Sequence, residues 1–134
     1  MITLDNYLNY WKVHYGYVKV DPAELTDEMK VKAKDLISKV NVLLGQFGES
    51  RAITSGWRPV MVNKVIPGAA IMSNHTKCQA VDLYDPDGSL DTWCMNNLDK
   101  LAQIGLWLEH PSATKNWTHL QSIAPRSGSR VFYP

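Results

Sequence analysis

Hydrophobic residues in the first third of the chain recur at helical spacing. Leu4, Tyr7, Leu8 and Trp11 follow Thr3, a residue able to cap, and predict a helix at the start. Asp21-Pro22-Ala23-Glu24 supplies a cap residue, a proline at the first helical position and a glutamate where a capping box places one, which predicts a second helix start. Leu36, Ile37, Val40, Leu43, Leu44 and Phe47 then form one stripe that ends at Gly48, where left-handed backbone suits a helix C-terminus. That helix reads as a core element without a chemical role.

From Arg51 the period shortens. Residues 52–54 predict a short strand, followed by the turn-rich Ser55-Gly56-Trp57-Arg58-Pro59. A loop rich in small residues runs through Pro67-Gly68-Ala69-Ala70 to His75, and residues 80–84 predict another strand, closed by the turn signal Asp85-Pro86-Asp87-Gly88. Ser89 is placed to cap a helix carrying Leu90, Trp93, Met95, Leu98, Leu101 and Ile104 and ending at Gly105. Two further strands are expected at 106–109 and 117–121, joined by a loop with Pro111 and Ser112, and a short apolar run lies at 131–133. Helices first and strands later, with one helix inserted, predict an α+β fold.

Side chains alternate faces along a strand, so each strand sorts into a core set and its opposite. Val81 and Leu83 make one apolar set, which leaves Asp82 on the other face. Leu106 and Leu108 make the second, opposite Trp107 and Glu109; Leu120 with Thr118 makes the third, opposite Trp117, His119 and Gln121. Packing the aliphatic faces on the helices projects Asp82, Glu109 and His119 together from the far face, with Glu109 expected diagonal to His119 across a hairpin. His75 lies before Asp82 and meets it if the intervening Thr76-Lys77-Cys78-Gln79 turns back. Histidine nitrogen and aspartate oxygen are both good zinc ligands, and three of them leave a fourth position open, as catalytic zinc sites do. Glu109 is then the nearest general base.

Length and charge narrow the class. The 134 residues suit one domain, residues 1–134, and 14 Lys+Arg against 13 Asp+Glu leave a net charge of +1. That balance speaks against a nucleic-acid surface or a membrane anchor, both of which need clustered positive charge or a long apolar run. No basic start with an apolar stretch behind it is present, so no secretory signal of the usual kind is expected. Cys78 and Cys94 are expected as free thiols, the alternative being a closed structural zinc site of His75, Cys78 and Cys94.

The chain resembles the zinc D-Ala-D-Ala carboxypeptidase family, which includes phage and bacterial L-alanyl-D-glutamate endopeptidases. The family pattern S-x-H-x-x-G-x-A-x-D is matched by Ser73, His75, Ala80 and Asp82, with Cys78 in place of the glycine. Ser55-Gly56-Trp57-Arg58-Pro59 is similar to the family's upstream S-G-[YW]-R-x segment, and Trp117-Thr118-His119-Leu120 to its third-ligand strand. The resemblance covers roughly residues 51 to 134. It implies a Hedgehog/DD-peptidase fold, a small antiparallel sheet with helices on one face. It further implies Zn²⁺ on His75, Asp82 and His119, and a substrate-facing Ser73. Arg58 is implied to stabilise an oxyanion or hold a substrate carboxylate.

In many relatives a carboxylate stands three residues before the last histidine; here that position is Asn116, so Glu109 takes the base's role or activity is impaired. The implied function is hydrolysis of peptide bonds in peptidoglycan stem peptides or other D-amino-acid-containing peptides. A phage endolysin is one setting, held in the host cytoplasm before lysis or associated with the virion. The alternatives are a catalytically weak zinc-containing binding or virion structural module, and a carboxypeptidase acting on free dipeptides.

Overall fold

A computed structural model describes the whole chain, Met1–Pro134. The opening segment folds as two short helices, α1 (Leu4–Asn9) and α2 (Lys12–Tyr15). The hydroxyl of Thr3 accepts from the Asn6 backbone N–H and so satisfies a donor the first turn leaves free. The long helix α3 (Asp27–Phe47) starts later than the Asp21-Pro22 signal predicts, because Thr26 caps it through Met29 N–H. Residues 22–24 make only a single 3₁₀ turn. The Glu24 carboxylate reaches instead to the Val60 N–H, 2.8 Å away, and ties that turn to the start of α4 (Val60–Val65). The expected end of α3 is correct: Gly48 adopts φ 92° and its N–H donates to Leu44 O.

Five strands form one sheet in the order β1-β2-β4-β3-β5: β1 (Ile53–Ser55), β2 (Ala80–Asp85), β3 (Trp107–Glu109), β4 (Asn116–Gln121) and β5 (Val131–Phe132). The sheet is mixed and not antiparallel as expected, since the final apolar run lies parallel to β3, with Leu108 opposite Val131. The helix expected over residues 89–104 is two: α5 (Ser89–Met95) and α6 (Leu98–Ile104), broken at Asn96-Asn97. Ser89 is the first helical residue and not the cap. Asp85 performs that task, its two carboxylate oxygens accepting from Leu90 and Asp91 N–H.

The strand alternation holds. Val81, Leu83, Leu108 and Leu120 are fully buried and share one core with Leu36, Val40 and Leu43 of α3 and Leu101 of α6. Burying a side chain of this size contributes about 1.5–3 kcal/mol, so the aliphatic face fixes the register of β2, β3 and β4. A one-residue slip would carry Asp82 and His119 into that core. Tyr7 of α1 is also fully buried, and its phenol donates to Ala80 O at 2.8 Å, pinning the N-terminal helices to the start of β2. No helix is long and apolar enough to cross a membrane.

Candidate active site

Asp82 and His119 face each other directly in the β2–β4 ladder, and Ser55 pairs with Asp82 from the other side. His75 reaches the same point from a 3₁₀ turn, Asn74–Lys77, whose cap Ser73 accepts from His75 N–H through its hydroxyl. The turn closes at Cys78, which adopts the left-handed φ of 60°. That conformation explains why the family pattern has glycine there. The Cys78 side chain is accommodated in the core, fully buried, with the thiol pushed up to about 12 by burial. Cys94 is likewise free, buried and raised to about 12. The ligand-type cluster is His75, Asp82 and His119, without either cysteine, so the closed His–Cys–Cys alternative does not form.

One ligand atom from each of His75, Asp82 and His119 lies within 4.8 Å of the others. His75 Nδ1 is 2.9 Å from Gly56 O, so that nitrogen carries the proton and Nε2 presents a bare lone pair. Nε2 is buried without a hydrogen-bond partner, 3.3 Å from Asp82 Oδ2. Burial of the ring holds its pKa below the ordinary value despite the attraction of Asp82, which keeps His75 neutral. Two acceptors therefore confront each other, an arrangement that a cation between them satisfies.

His119 differs. Its Nδ1 is 2.8 Å from Asp82 Oδ1 and its Nε2 is 3.0 Å from Gln121 Oε1. Gln121 Nε2 donates to Ile123 O, which fixes the amide with its oxygen toward the ring. With acceptors at both nitrogens, His119 is an imidazolium. Burial opposes this, but the hydrogen bond and charge of Asp82 prevail and its pKa lies above the usual value. Burial likewise works against ionised Asp82. The hydrogen bond and positive charge of His119, together with the proximity of the His75 ring, outweigh it and hold the carboxyl well below the usual range. The proton on Nδ1 occupies the lone pair that a metal would take. The donor set of two nitrogens and one carboxylate, each imidazole held through its other nitrogen, fits zinc.

Arg58 is held beside this cluster. Its Nε donates to Ser55 Oγ at 2.9 Å, Nη1 lies 3.3 Å from Asn63 Oδ1 and Nη2 lies 3.6 Å from Asp82 Oδ2. The Ser55–Pro59 segment is stitched to the histidine turn by three contacts: Arg58 N–H to His75 O, Trp57 Nε1–H to Thr76 O, and His75 to Gly56. The two segments that carry the resemblance are thus one structural unit.

A cleft of about 630 Å³ opens over the cluster and includes Arg58, Ser73, Glu109 and Trp117 in its walls. The register Trp107↔Gln121 and Leu108↔Leu120 carries Glu109 to the place opposite His119, not diagonal to it. Burial raises the Glu109 pKa above the ordinary carboxylate value, with His119 pulling it back and Asp82 adding to the rise. A carboxylate tuned upward in this way holds a proton more readily than an ordinary one.

Asn116 lines a different depression, beside Asp85 and Asp91, and carries φ 77°. It stands on the opposite face of β4 from His119. Trp107 packs under the Arg130 guanidinium, 4.4 Å from the ring centre, and is absent from the cleft wall. Gln121, Asn63 and the Gly56 carbonyl are site-shaping groups that sequence reasoning missed. Gln121 alone carried a signal, as it shares the strand face of His119.

The chain matches the family described as Peptidase M15 over residues 8–121, most of its length, and it belongs to that family of zinc D-Ala-D-Ala carboxypeptidase-type proteins. The match begins near the end of α1, so α2 and α3 lie inside the family's extent although no motif marks them. No curated protein and no solved structure matches the chain. Membership implies a zinc peptidase acting on peptidoglycan-type substrates.

Proposed function

We propose that the protein hydrolyses peptide bonds in the stem peptides of bacterial peptidoglycan, as a D,D-carboxypeptidase or L-Ala-D-Glu endopeptidase. The observation that carries this reading is the bare, buried Nε2 of His75 facing Asp82, with His119 completing the set and Glu109 in the wall of the same open cleft. His75, Asp82 and His119 would hold Zn²⁺, which when bound supplies Lewis acidity toward a water and an amide carbonyl.

The remaining work belongs to the chain. Glu109 accepts the proton of the attacking water and returns it to the leaving amine, a role its upward-shifted pKa supports. Arg58 faces the cleft as a fixed cation held by Ser55 and Asn63, and it stabilises negative charge that develops on the carbonyl oxygen or holds a substrate carboxylate. Ser73 lines the cleft while its hydroxyl shapes the His75 turn, so its first contribution is positioning. The setting we propose is a phage lytic enzyme, held in the host cytoplasm before lysis or carried on the virion.

Purified sacculi incubated with the zinc-loaded protein, with and without chelator, test this reading by mass spectrometry of the released muropeptides. New amine termini that vanish with chelator are expected; unchanged muropeptides would contradict it. Glu109→Gln separates an enzyme from a metal-holding binding module. An enzyme keeps zinc and loses about 10²–10⁴-fold in rate, whereas a binding module has no rate to lose.

A further inference from the structure

The Arg58 guanidinium has a second open side. Beyond it lies a depression of about 280 Å³ whose walls include Tyr10, Trp11 and Tyr15 from the N-terminal helices, Val62 and Ile66 from the α4 region, and Trp117 from β4. It shares Arg58, Ile66, Asp82 and Trp117 with the larger cleft, so the two are continuous around the metal-type cluster. They differ in character: aromatic and aliphatic side chains dominate the smaller one.

We propose that this depression is a second substrate subsite, which takes the apolar body of a neutral or anionic residue next to the scissile amide, with Trp11 and Tyr15 as specificity-determining residues. The inference rests on the peptidase reading above and deepens it. Continuity puts the depression within reach of any chain lying across the cluster. Its volume lies just below the roughly 300–1,000 Å³ of drug-sized ligand pockets, enough for one residue and not for a long segment.

Charge sets the class of that residue. Asp82 is already engaged by His75, His119 and Arg58 and offers no free negative charge. Arg58 is a permanent cation in the wall of the depression, and Asp82 is the only carboxylate there. A lysine-like side chain meets the like charge of Arg58 there, while a carboxylate finds it as a partner. Aromatic walls contribute large, stiff apolar contact at low entropic cost, which is how such rings select a partner.

The test is the release of new amine termini from purified sacculi by zinc-loaded protein, measured against sacculus concentration for wild type, Trp11→Ala, Trp11→Phe and Tyr15→Ala. Zinc content and melting temperature are followed alongside. Trp11→Ala and Tyr15→Ala are expected to raise the half-saturating concentration about tenfold, the scale of a lost apolar pocket contact, with zinc content at the wild-type level. Trp11→Phe is expected to restore most of the loss. Acetyl-alanyl-glutamate, in either enantiomer, is expected to inhibit wild type at least tenfold better than acetyl-alanyl-lysine. Half-saturation equal to wild type in both alanine variants, or equal inhibition by the two peptides, would overturn the subsite while leaving the peptidase reading intact. No release of amine termini by the wild type would overturn that reading and the subsite with it. Because Trp11 packs partly on the core, the Tyr15 variant decides the matter if Trp11→Ala melts early.

Discussion

Asp82 stands directly opposite His119 in the β2–β4 ladder, its Oδ1 2.8 Å from the imidazole Nδ1, while its other oxygen faces the unprotonated Nε2 of His75. One carboxylate therefore meets a proton on one side and a bare lone pair on the other. A divalent cation resolves both at once, by replacing the proton and by separating the two acceptors.

The first consequence is proton release. On the proposed ligand set zinc would take the Nδ1 lone pair of His119, which carries a proton toward Asp82 in the metal-free protein, so binding is expected to expel about one proton. The sign follows from the raised pKa of His119: apparent affinity rises with pH up to that pKa, above the ordinary 6.5, and levels off beyond it. Calorimetry at one pH in buffers of different ionisation enthalpy is expected to yield close to one proton released per zinc near pH 6. No buffer dependence there would contradict the assignment of His119 as imidazolium.

Gln121 orients the His119 ring. Its amide oxygen takes the His119 Nε2–H while its nitrogen is anchored on Ile123 O. Removing this anchor by Gln121→Leu is expected to weaken zinc binding by about 10–100-fold, the usual effect of losing a partner behind a metal-binding histidine. Competition against a chromogenic chelator measures it. An affinity equal to wild type would show that β4 alone positions the ring.

Gly56 connects the N-terminal helices to His75. A Cβ at this position would collide with Tyr7 O, a contact with backbone that no side-chain motion relieves. The same residue's carbonyl fixes the His75 tautomer. Gly56→Ala is expected to lower both the melting temperature and the zinc affinity, with a stability loss of about 2 kcal/mol or more. Thermal melts with and without zinc report both effects, and a variant with wild-type stability would contradict the close approach.

Some of this was legible in the chain and some was not. Period-two alternation exposed Asp82, Glu109 and His119 because their neighbours Val81, Leu83, Leu108 and Leu120 are buried aliphatics whose parity is unambiguous. His75 sits in a turn, where no period operates, and only the motif located it. The α4 helix carries three β-branched valines and ends just before Pro67, so its propensity is poor; the Glu24 contact to Val60 N–H comes from tertiary structure. The placement of β5 beside β3 joins residues more than twenty positions apart, which local pattern does not encode. The Gly56 carbonyl is invisible for a simpler reason: every residue has one.

Asp91 makes a pH prediction independent of the metal. It is 5% exposed, its Oδ1 has no partner, and its Oδ2 is only 3.4 Å from Thr114 Oγ1. Burial chiefly, with the Asp85 and Glu109 charges adding to it against hydroxyl hydrogen bonds, raises the carboxyl to about 6. A folded-state pKa above the unfolded one contributes stability that is complete below about pH 4 and lost as pH rises through about 6. Asp91→Asn, uncharged at any pH, is expected to flatten this slope and to stabilise the protein at pH 8 by about 1–2 kcal/mol. Urea melts of both proteins at pH 5 and pH 8 check it; equal pH slopes would contradict the raised carboxyl.

X-ray absorption at the zinc edge of the loaded, purified protein tests the metal centre most directly. The arrangement of His75, Asp82 and His119 predicts one zinc per chain with two imidazole nitrogens and one carboxylate oxygen at about 2.0–2.2 Å and a further light atom completing four-coordination. That signal must disappear in His75→Ala. A spectrum with a sulfur shell near 2.3 Å, or one unaltered by His75→Ala, would place the metal elsewhere and contradict the account.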